Sequence, residues 1–308
     1  MSGVVLPLDE VEPAPSVVTI GNFDGVHRGH RLLLSRTVDG ALDRGVRSVA
    51  VTFDPHPASI VRPDAVPLAL CSLDERCRLL IDAGVDLVVI VAFTDALSRL
   101  TPAEFVEAVL VDRLRAGRVI IGSNFRFGHR AAGDVVTLVE LGELHGFDVE
   151  AVAVRHDDDQ PISSSAIRDA LLGGDVSRAA TALGRLPRLI GEVVAGDGRG
   201  RTIGVPTANV AISDGLVVPA RGVYVALAHV DDVAVPAVVN VGVRPTVTDG
   251  VEQTVEVHVI DRDVDLYGQQ LTVDLVDRIR GEQRFDSVDD LVAAIRADID
   301  VARERLAG

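Results

Sequence analysis

Two histidines, His27 and His30, stand three residues apart directly after a glycine-rich turn that follows a short β-branched run. Glycines let the backbone of this turn approach a ligand closely, and they are Gly21, Gly25 and Gly29. A helix that begins beyond the turn offers free N–H groups and the positive end of its dipole. Residues three apart share a face of the first helical turn, so both imidazoles can face one phosphate. The pattern predicts phosphate-transfer chemistry, in which fixed donors and Mg²⁺ stabilise charge spread over phosphate oxygens.

Two other interpretations of the histidine pair are a surface histidine before an ordinary helix start, and a zinc site. Zinc would need a third ligand at a suitable spacing, and none follows. The strand, turn and helix context favours the phosphate site.

A second phosphate-binding pattern combines hydroxyls with a guanidinium: residues 163–165 are serines at a predicted helix start, and Arg168 lies one turn in. Hydroxyls, N–H groups and a guanidinium at one helix start form a clamp for polyphosphate. A serine cap beside a solvated arginine is the alternative, and the residues by themselves leave both open.

A glycine-rich stretch, residues 196–209, ends in Thr207 and Asn209. Its glycines free the backbone to fold over a nucleotide, and the two side chains offer neutral oxygens that suit a hard cation such as Mg²⁺. An ordinary surface loop is the alternative.

Residues 254–259 alternate between polar side chains and valine. In a strand this pattern places Thr254, Glu256 and His258 on one face and the valines in the core. Phosphoryl transfer to a hydroxyl needs a group that removes the proton. The residues alone do not choose between Glu256 and His258, and a plain solvated strand face is the other interpretation.

The elements that would position these groups change character along the chain. The first 150 residues or so alternate strands and helices, which predicts a doubly wound parallel sheet with helices on both faces and ligands at the carboxyl ends of the strands. The predicted strands are 17–20, 48–53, 87–92, 119–121 and 149–154, and the predicted helices are 31–43, 73–82, 102–115 and 134–145.

From about Leu189 short strands follow one another without helices between them, which predicts an antiparallel barrel or sandwich. The predicted strands are 189–195, 223–230, 234–239, 254–260 and 271–276, and a helix over 288–306 closes the chain. A boundary near residues 183–187 gives two domains, 1–184 and 185–308.

Composition excludes several classes of protein. The net charge of −16 and an aromatic content of 3% argue against a nucleic-acid partner, because such proteins usually carry a basic footprint and stacking aromatics. The two cysteines, Cys71 and Cys77, lack a C-x-x-C spacing, so neither a disulfide nor zinc is expected. The N-terminus does not resemble a signal peptide, and the longest apolar run, residues 87–93, is too short for a membrane span. We expect a cytoplasmic protein with no membrane partner.

The wording of residues 21–30, GNFDGVHRGH, resembles the nucleotidyltransferase superfamily and, within it, the bacterial bifunctional riboflavin kinase/FMN adenylyltransferases, or FAD synthetases. Residues 53–57, 122–128 and 162–168 are similar to further motifs of that family. Beyond the predicted boundary, the stretch ending in Pro-Thr-Ala-Asn resembles a riboflavin kinase signature, and similar motifs recur at residues 222–224, 240–246, 266–268 and 279–282.

This resemblance, which spans about residues 16–305, implies a nucleotidyltransferase domain followed by an antiparallel β-barrel riboflavin kinase domain with a C-terminal helix. It implies ATP-dependent phosphorylation of riboflavin to FMN and Mg²⁺-dependent adenylylation of FMN to FAD with release of pyrophosphate. The implied partners are riboflavin, FMN, FAD, ATP and ADP, with no zinc and no haem, and a homo-oligomer stays open.

The resemblance also assigns residues. It implies His27 and His30 as catalytic groups of adenylyl transfer and Glu256 as the base of the kinase. The residues implied for ATP and phosphate binding in the first domain are Gly21, Asn22, Phe23, Gly25, Gly29, His56, Asn124, Ser164, Ser165 and Arg168, where His56 is as well explained by a structural role. The residues implied for ATP and flavin binding in the second are Gly198, Arg199, Gly200, Thr207, Asn209 and Arg280, with Thr207 and Asn209 as metal ligands.

The sequence departs from the family at three points. Residues 184–187 lack the usual aromatic near proline, Val205 stands where phenylalanine is common, and Ser165 replaces a usual threonine. Two alternatives therefore stay open: an adenylyltransferase whose barrel only binds flavin, and a non-flavin adenylyltransferase with a nucleic-acid-binding barrel. The set of Thr207, Asn209 and Glu256 argues against the first, and the acidic charge argues against the second.

Overall fold

A computed structural model describes residues 3–153, 156–157, 160–196, 204–245, 251–262 and 264–307. The chain divides into two compact units, Met1–Ser164 and Ser165–Gly308. This division precedes two helices that the predicted boundary at 184/185 assigned to the first domain.

Six parallel strands form the sheet of the first unit in the order β1-β4-β3-β2-β5-β6. They are β1 (Val4–Pro7), β2 (Ser16–Ile20), β3 (Arg47–Asp54), β4 (Leu87–Ala92), β5 (Ala116–Gly122) and β6 (Asp148–Val152). A two-stranded antiparallel pair follows, β7 (His156–Asp157) and β8 (Gln160–Pro161). The predicted doubly wound parallel sheet is confirmed, and β1 is a strand that the sequence analysis missed.

Each face of the sheet is covered by its own hydrophobic core. Val18 and Ile20 of β2 belong to one cluster, whereas Val17 belongs to another, as the alternation of side chains along a strand requires. All five residues of β2 are buried. Burial on both faces explains why the central strands are continuous β-branched runs rather than alternating ones.

The strand order reverses next to β2. Strands β2, β3 and β4 follow one another in one direction across the sheet, and the chain then returns to place β5 on the other side of β2. Such a switch point opens a crevice at the carboxyl ends of the two strands, where ligands of this architecture bind. The crevice therefore lies where Ile20 and Gly122 end their strands.

The helices of the first unit are α1 (Arg28–Arg44), α2 (Ala58–Val61), α3 (Leu73–Asp82), α4 (Asp95–Ser98), α5 (Pro102–Phe105) and α6 (Val135–His145). Short 3-10 turns occupy Leu8–Glu10, Pro63–Ala65 and His129–Ala131. The single α-helix predicted over 102–115 begins with a capping box at Thr101 and Glu104 but continues as a π-helix over Val106–Arg113. The wider π turn still buries Val106, Val109 and Leu110.

The second unit is a closed antiparallel barrel in the order β10-β13-β12-β11-β14-β9. Its strands are β9 (Arg188–Val194), β10 (Ala208–Ile212), β11 (Gly222–Val230), β12 (Val233–Pro245), β13 (Val251–Val259) and β14 (Gln270–Arg280). Helices α7 (Ser164–Leu172) and α8 (Val176–Leu183) precede it, and α9 (Val288–Ala307) closes the chain. The predicted barrel and C-terminal helix are confirmed, whereas β10 and α8 were missed.

Helix α9 packs on one face of the barrel wall. Ile299 and Ala302 of α9 share a hydrophobic cluster with Val223 and Val225 of β11 and with Val205. The valine that replaces the family's phenylalanine is thus a packing residue. On the opposite face of β11, the fully buried Tyr224 donates its hydroxyl hydrogen to the Ala220 carbonyl.

None of the helices in the described ranges combines the length and the apolar character needed to cross a membrane.

Candidate active sites

A cavity of about 280 Å³ opens at the carboxyl ends of β2 and β5. It therefore occupies the switch point of the sheet, and it is lined by the turn after β2, the start of α1, the turn after β5 and the residues before α7. The predicted site residues that line it are Gly21, Asn22, Phe23, His27, Gly29, His30, Asn124 and Ser164.

The turn between β2 and α1 is held in a strained backbone conformation. Phe23 and Val26 have positive φ angles of 50° and 39°, and Gly25 has a φ of 76°. A β-branched residue in this region is a genuine outlier, which persists only where the surrounding structure imposes it. Phe23 and Val26 are both fully buried, so the core pins the turn. The strained residue Phe23 lines the cavity, so the backbone of the cavity wall is fixed at this point.

His27 and His30 lie against each other at the start of α1. Their rings stack with centroids 3.6 Å apart and planes 17° from parallel. His27 caps the helix, because its Nδ1 accepts a hydrogen bond from the His30 N–H at 3.3 Å. A neutral His27 that accepts at Nδ1 carries its proton on Nε2, which makes that nitrogen a donor.

The surroundings of His30 disfavour its charged form. Its ring meets the Phe23 ring edge to face at 5.2 Å, and its Nδ1 is buried without a hydrogen-bond partner in the described part of the chain. Desolvation, together with the nearby His27, holds the pKa of His30 well below its ordinary value of 6.5. His30 is therefore neutral at pH 7 when no ligand is bound.

Gly29 leaves room for the His27 ring. A Cβ at position 29 would lie 3.1 Å from two atoms of that ring, closer than side chains normally pack. The spacing His-x-Gly-His thus has a steric reason: the glycine between the histidines lets the first ring fold over the helix start.

Asn22 and His56 connect the turns that follow β2 and β3. The Asn22 side-chain amide lies 3.3 Å from His56 Nε2, and His56 Nδ1 accepts from the Ala58 N–H at 3.1 Å. The nearer amide atom is Nδ2. Because Nδ1 accepts, a neutral His56 carries its hydrogen on Nε2, so a hydrogen bond at this contact needs the Asn22 amide turned to present its oxygen. His56 is half-buried and is not among the residues that line the cavity.

The serine motif is divided between the two units. Ser164 belongs to the first unit, where its hydroxyl donates to the carbonyl of Asp24 in the turn after β2 at 2.8 Å. Ser165 and Arg168 belong to the second unit, the former exposed and the latter half-buried.

The second candidate site is a polar row across three barrel strands. Asn209 of β10 pairs with Glu256 of β13, which pairs in turn with Asn240 of β12. Directly opposed residues put their side chains on the same face, with Cβ atoms about 4.5–5.5 Å apart. The sequence analysis assigned no role to Asn240. A single polar residue within a run of valines could have indicated a functional position.

Gly196 leaves room for the side chain of Asn209 in this row. The Asn209 side chain covers Gly196, where a Cβ would lie 2.0 Å from its amide nitrogen. A cavity of about 320 Å³ includes Gly196, Thr207 and Asn209 in its lining but not Glu256. Thr207 is exposed and Asn209 half-buried. Asn209 therefore both lines the cavity and pairs with Glu256, whereas β13 contributes Val257 and Val259 of its other face to the lining.

The predicted alternation on β13 is present. Val255, Val257 and Val259 are buried, and Glu256 and His258 are half-buried on the other face. The two candidates for the base differ in their contacts. His258 Nδ1 lies 2.8 Å from the Pro206 carbonyl, to which it donates, whereas Glu256 stands between two asparagines.

Arg280 makes a two-pronged ion pair with α9. Its Nε and Nη2 donate to the two carboxylate oxygens of Asp298 at 3.0 and 2.7 Å, and Asp298 is buried. Its guanidinium also lies over the Phe285 ring at 5.6 Å. The sequence analysis missed Asp298, which looks like one of several acidic residues on a solvated helix. Gly198, Arg199 and Gly200, predicted for nucleotide binding, lie outside the described residues.

The donors of the second site suit magnesium. Mg²⁺ is held by one or two protein oxygens together with water and substrate phosphates, and the Thr207 hydroxyl, the Asn209 amide and the nearby Glu256 carboxylate are oxygen donors of that kind. The described residues contain no group of three or more His, Cys, Asp or Glu side chains arranged to hold a metal.

Comparison with known proteins gives one match for each half of the chain. The sequence model of the FAD synthetase family matches residues 9–166, and that of riboflavin kinase matches residues 183–306.

Whole-chain relatives carry both halves. The bifunctional riboflavin kinase/FMN adenylyltransferase of Escherichia coli strain K12 is 41% identical over 289 residues, which cover 94% of this chain and 92% of that protein. The protein of the same description from Bacillus subtilis strain 168 is 32% identical and covers 93% of this chain and 91% of its own. A crystal structure described as a macrolide-efflux protein from Streptococcus pneumoniae is 33% identical, with a TM-score of 0.90 over 98% of this chain and 99% of that one.

Proposed function

The chain belongs to the family of bifunctional riboflavin kinase/FMN adenylyltransferases, and we propose that it converts riboflavin to FMN and FMN to FAD, using ATP in both reactions. The observation that carries the proposal is that each half of the chain matches one of the two enzyme families and contains a separate cavity with polar groups suited to that chemistry.

For the adenylyl transfer we propose the cavity at the β2–β5 switch point. A phosphate oxygen of FMN attacks the α-phosphorus of ATP, the bond from that phosphorus to the bridging oxygen breaks, and pyrophosphate leaves. His27 and His30 donate to the phosphate oxygens on which charge develops, and the strained turn holds its backbone for the same purpose. Ser164, Ser165 and Arg168 bind the outer phosphates, and Asn124 positions the nucleotide.

For the kinase reaction we propose Glu256 as the base. It takes the proton of the terminal riboflavin hydroxyl as that oxygen attacks the γ-phosphorus of ATP and ADP leaves. Its place between Asn209 and Asn240 supports this choice, and the bond from His258 to the Pro206 carbonyl favours a structural role for His258. Thr207 and Asn209 would hold Mg²⁺, which neutralises phosphate charge when bound.

Arg280 supports the flavin and nucleotide site of the kinase through the segment that follows β14. Because two guanidinium nitrogens of Arg280 already donate to Asp298, we propose that Arg280 holds the segment after β14 in place. Glu282 belongs to the same segment. Its carboxylate and the Asn240 amide each lie 3.5 Å from the place that a Cβ on Gly242 would occupy, so Glu282 stands close to the polar row.

We propose that the functional division follows α8, with residues 1–184 serving adenylyl transfer and residues 185–308 the kinase. The riboflavin kinase match supports it, because that match begins at residue 183, where α8 ends. A cytoplasmic location without a nucleic-acid partner fits the use of ATP and the net charge of −16. We propose no efflux activity, since the polar groups of both cavities suit phosphate transfer.

A two-product time course tests the proposal. Purified chain with riboflavin, ATP and Mg²⁺ should give FMN first and FAD later, separated by chromatography. FAD from added FMN without FMN from riboflavin would instead support an adenylyltransferase whose barrel only binds flavin. Failure to form either product would refute the proposal.

A further inference from the structure

A buried arginine, Arg76, contacts the turn after β2 and the end of β3 in the first unit. Arg76 of α3 is only 6% exposed, and within the described ranges no carboxylate lies within ion-pair distance of its guanidinium. Arg78, two residues further along the same helix, shows the usual arrangement: it is half exposed and pairs with Glu75 and Asp82.

One nitrogen of Arg76 ties two turns together. Its Nη1 donates to the Asn22 carbonyl at 3.2 Å, the Thr52 hydroxyl at 3.1 Å and the Phe53 carbonyl at 3.1 Å. The Thr52 hydroxyl in turn donates to the Asn22 carbonyl at 3.1 Å. The turn after β2 and the end of β3 are thus held by one guanidinium.

The first of these segments carries groups of the adenylyl-transfer cavity, and the second leads to a residue that contacts the first. Asn22 and Phe23 line the cavity, and β3 leads into His56, whose ring bonds to the Asn22 side chain. Because the peptide between Asn22 and Phe23 is trans, its N–H points away from Arg76 when its carbonyl points toward it. Arg76 therefore fixes the orientation of a peptide in the cavity wall.

A neutral side chain of similar length would fill this space without the cost of removing a charge from water. Buried charges are expensive unless they are paired, and Arg76 is satisfied only by neutral oxygens, with its Nε buried and unpartnered. Arg76 does not itself line the cavity, but it bonds to the carbonyl of Asn22, which does, so a polyphosphate bound there would lie on the other side of that residue from the positive charge. A fixed positive charge in a poorly solvated site acts without reorganisation during the reaction.

We propose that Arg76 is a positioning residue for adenylyl transfer, which fixes the Asn22–Phe23 peptide and the end of β3 and holds a positive charge behind the nucleotide phosphates. This inference rests on the proposed adenylyltransferase function of the first unit. If the wild-type chain forms no FAD, that function fails; the variants below test Arg76 alone.

The test compares Arg76→Gln and Arg76→Lys in the full chain, with Arg78→Gln as the matched loss of a charge from the same helix. Steady-state rates of FAD formation from FMN are measured, and FMN formation by the barrel in each variant serves as the internal control. We expect Arg76→Gln to lower kcat for FAD formation by about 10²-fold with a smaller change in KM for ATP. This is the loss typical of a displacement of about 1 Å in groups that position a substrate. Arg76→Lys should recover at least about tenfold of that loss, and Arg78→Gln should match the wild type.

Wild-type kcat in a folded Arg76→Gln variant would overturn the proposal, and so would an Arg76→Lys variant as slow as Arg76→Gln. If circular dichroism shows that Arg76→Gln does not fold, Thr52→Val decides. Loss of the bridging hydroxyl loosens the hold on Asn22 while Arg76 stays, and kcat should fall by about tenfold. An unchanged kcat in Thr52→Val would overturn the proposal.

Discussion

His27 and His30 act as a pair at the residue scale, because their rings stack and the cap of α1 joins them. We expect His27→Ala or His30→Ala to lower FAD formation by about 10²–10³-fold, the loss typical of one transition-state donor. FMN formation by the same variants should survive. The check is to assay both products on each variant; equal loss of both activities would contradict separate sites.

The depressed pKa of His30 predicts a dependence of stability on pH. Well above pH 6.5 the ring is neutral in the folded and the unfolded chain, and it contributes no slope. Below pH 6.5 the unfolded chain takes up a proton that the folded chain resists, so the free energy of unfolding falls with a slope of up to about 1.4 kcal/mol per pH unit. Urea unfolding followed by circular dichroism should show a smaller loss below pH 6.5 in His30→Gln than in the wild type. Parallel pH profiles for the two proteins would contradict this.

Glu256 and His258 give opposite expectations for the kinase. We expect Glu256→Gln to lower FMN formation by about 10²–10⁴-fold, because a general base is lost, while FAD formation from supplied FMN is unchanged. His258→Ala should retain most of the kinase rate. The measurement is initial FMN formation from riboflavin, and the reverse ranking of the two variants would assign the base to His258.

At the scale of elements, α9 is joined to the barrel by a buried charge pair as well as by apolar contacts. Asp298→Asn removes one partner of the Arg280 pair, and we expect a loss of about 3 kcal/mol in the free energy of unfolding of the second unit. Asp300→Asn is the matched control, because Asp300 lies exposed on the same helix and pairs with Arg303 at the surface. The midpoint of urea inactivation of FMN formation measures both, and equal midpoints would show that the pair contributes little.

Most elements could be predicted from the sequence because their periodicity is strong. The central strands are buried on both faces and read as β-branched runs, and the alternation on β13 predicted the common face of Glu256 and His258. Strand β1 was missed because four residues near a terminus give little pattern, and β10 because it adjoins a glycine-rich stretch that resembles a loop.

Contacts distant in sequence were harder to predict. Arg76 lies in CSLDERCRLL, where nothing distinguishes it from the surface arginine at position 78. Only the packing of α3 against the ends of β2 and β3 makes it a buried cation. Asp298 is likewise defined by its partner on β14, which no spacing within α9 indicates.

At the scale of the whole molecule, the two activities should be separable between chains. We expect His27→Ala and Glu256→Gln, each of which alone is slow to carry riboflavin through to FAD, to form FAD much faster when they are mixed. FMN made by the first variant can diffuse to the intact adenylyltransferase of the second. Chromatography of the mixture over time measures FAD, and accumulation of FMN without FAD would show that FMN does not leave the chain that made it.

The burial of Tyr224 in the barrel wall has a spectroscopic consequence. The chain has no tryptophan, and its two tyrosines, Tyr224 and Tyr267, both belong to the second unit. Tyr224 is fully buried, whereas Tyr267 is 64% exposed and lines the kinase cavity. Tyrosine emission of the intact chain therefore originates in the barrel unit alone. The buried ring reports on the unfolding of that unit, and the exposed ring reports on ligands that enter its cavity.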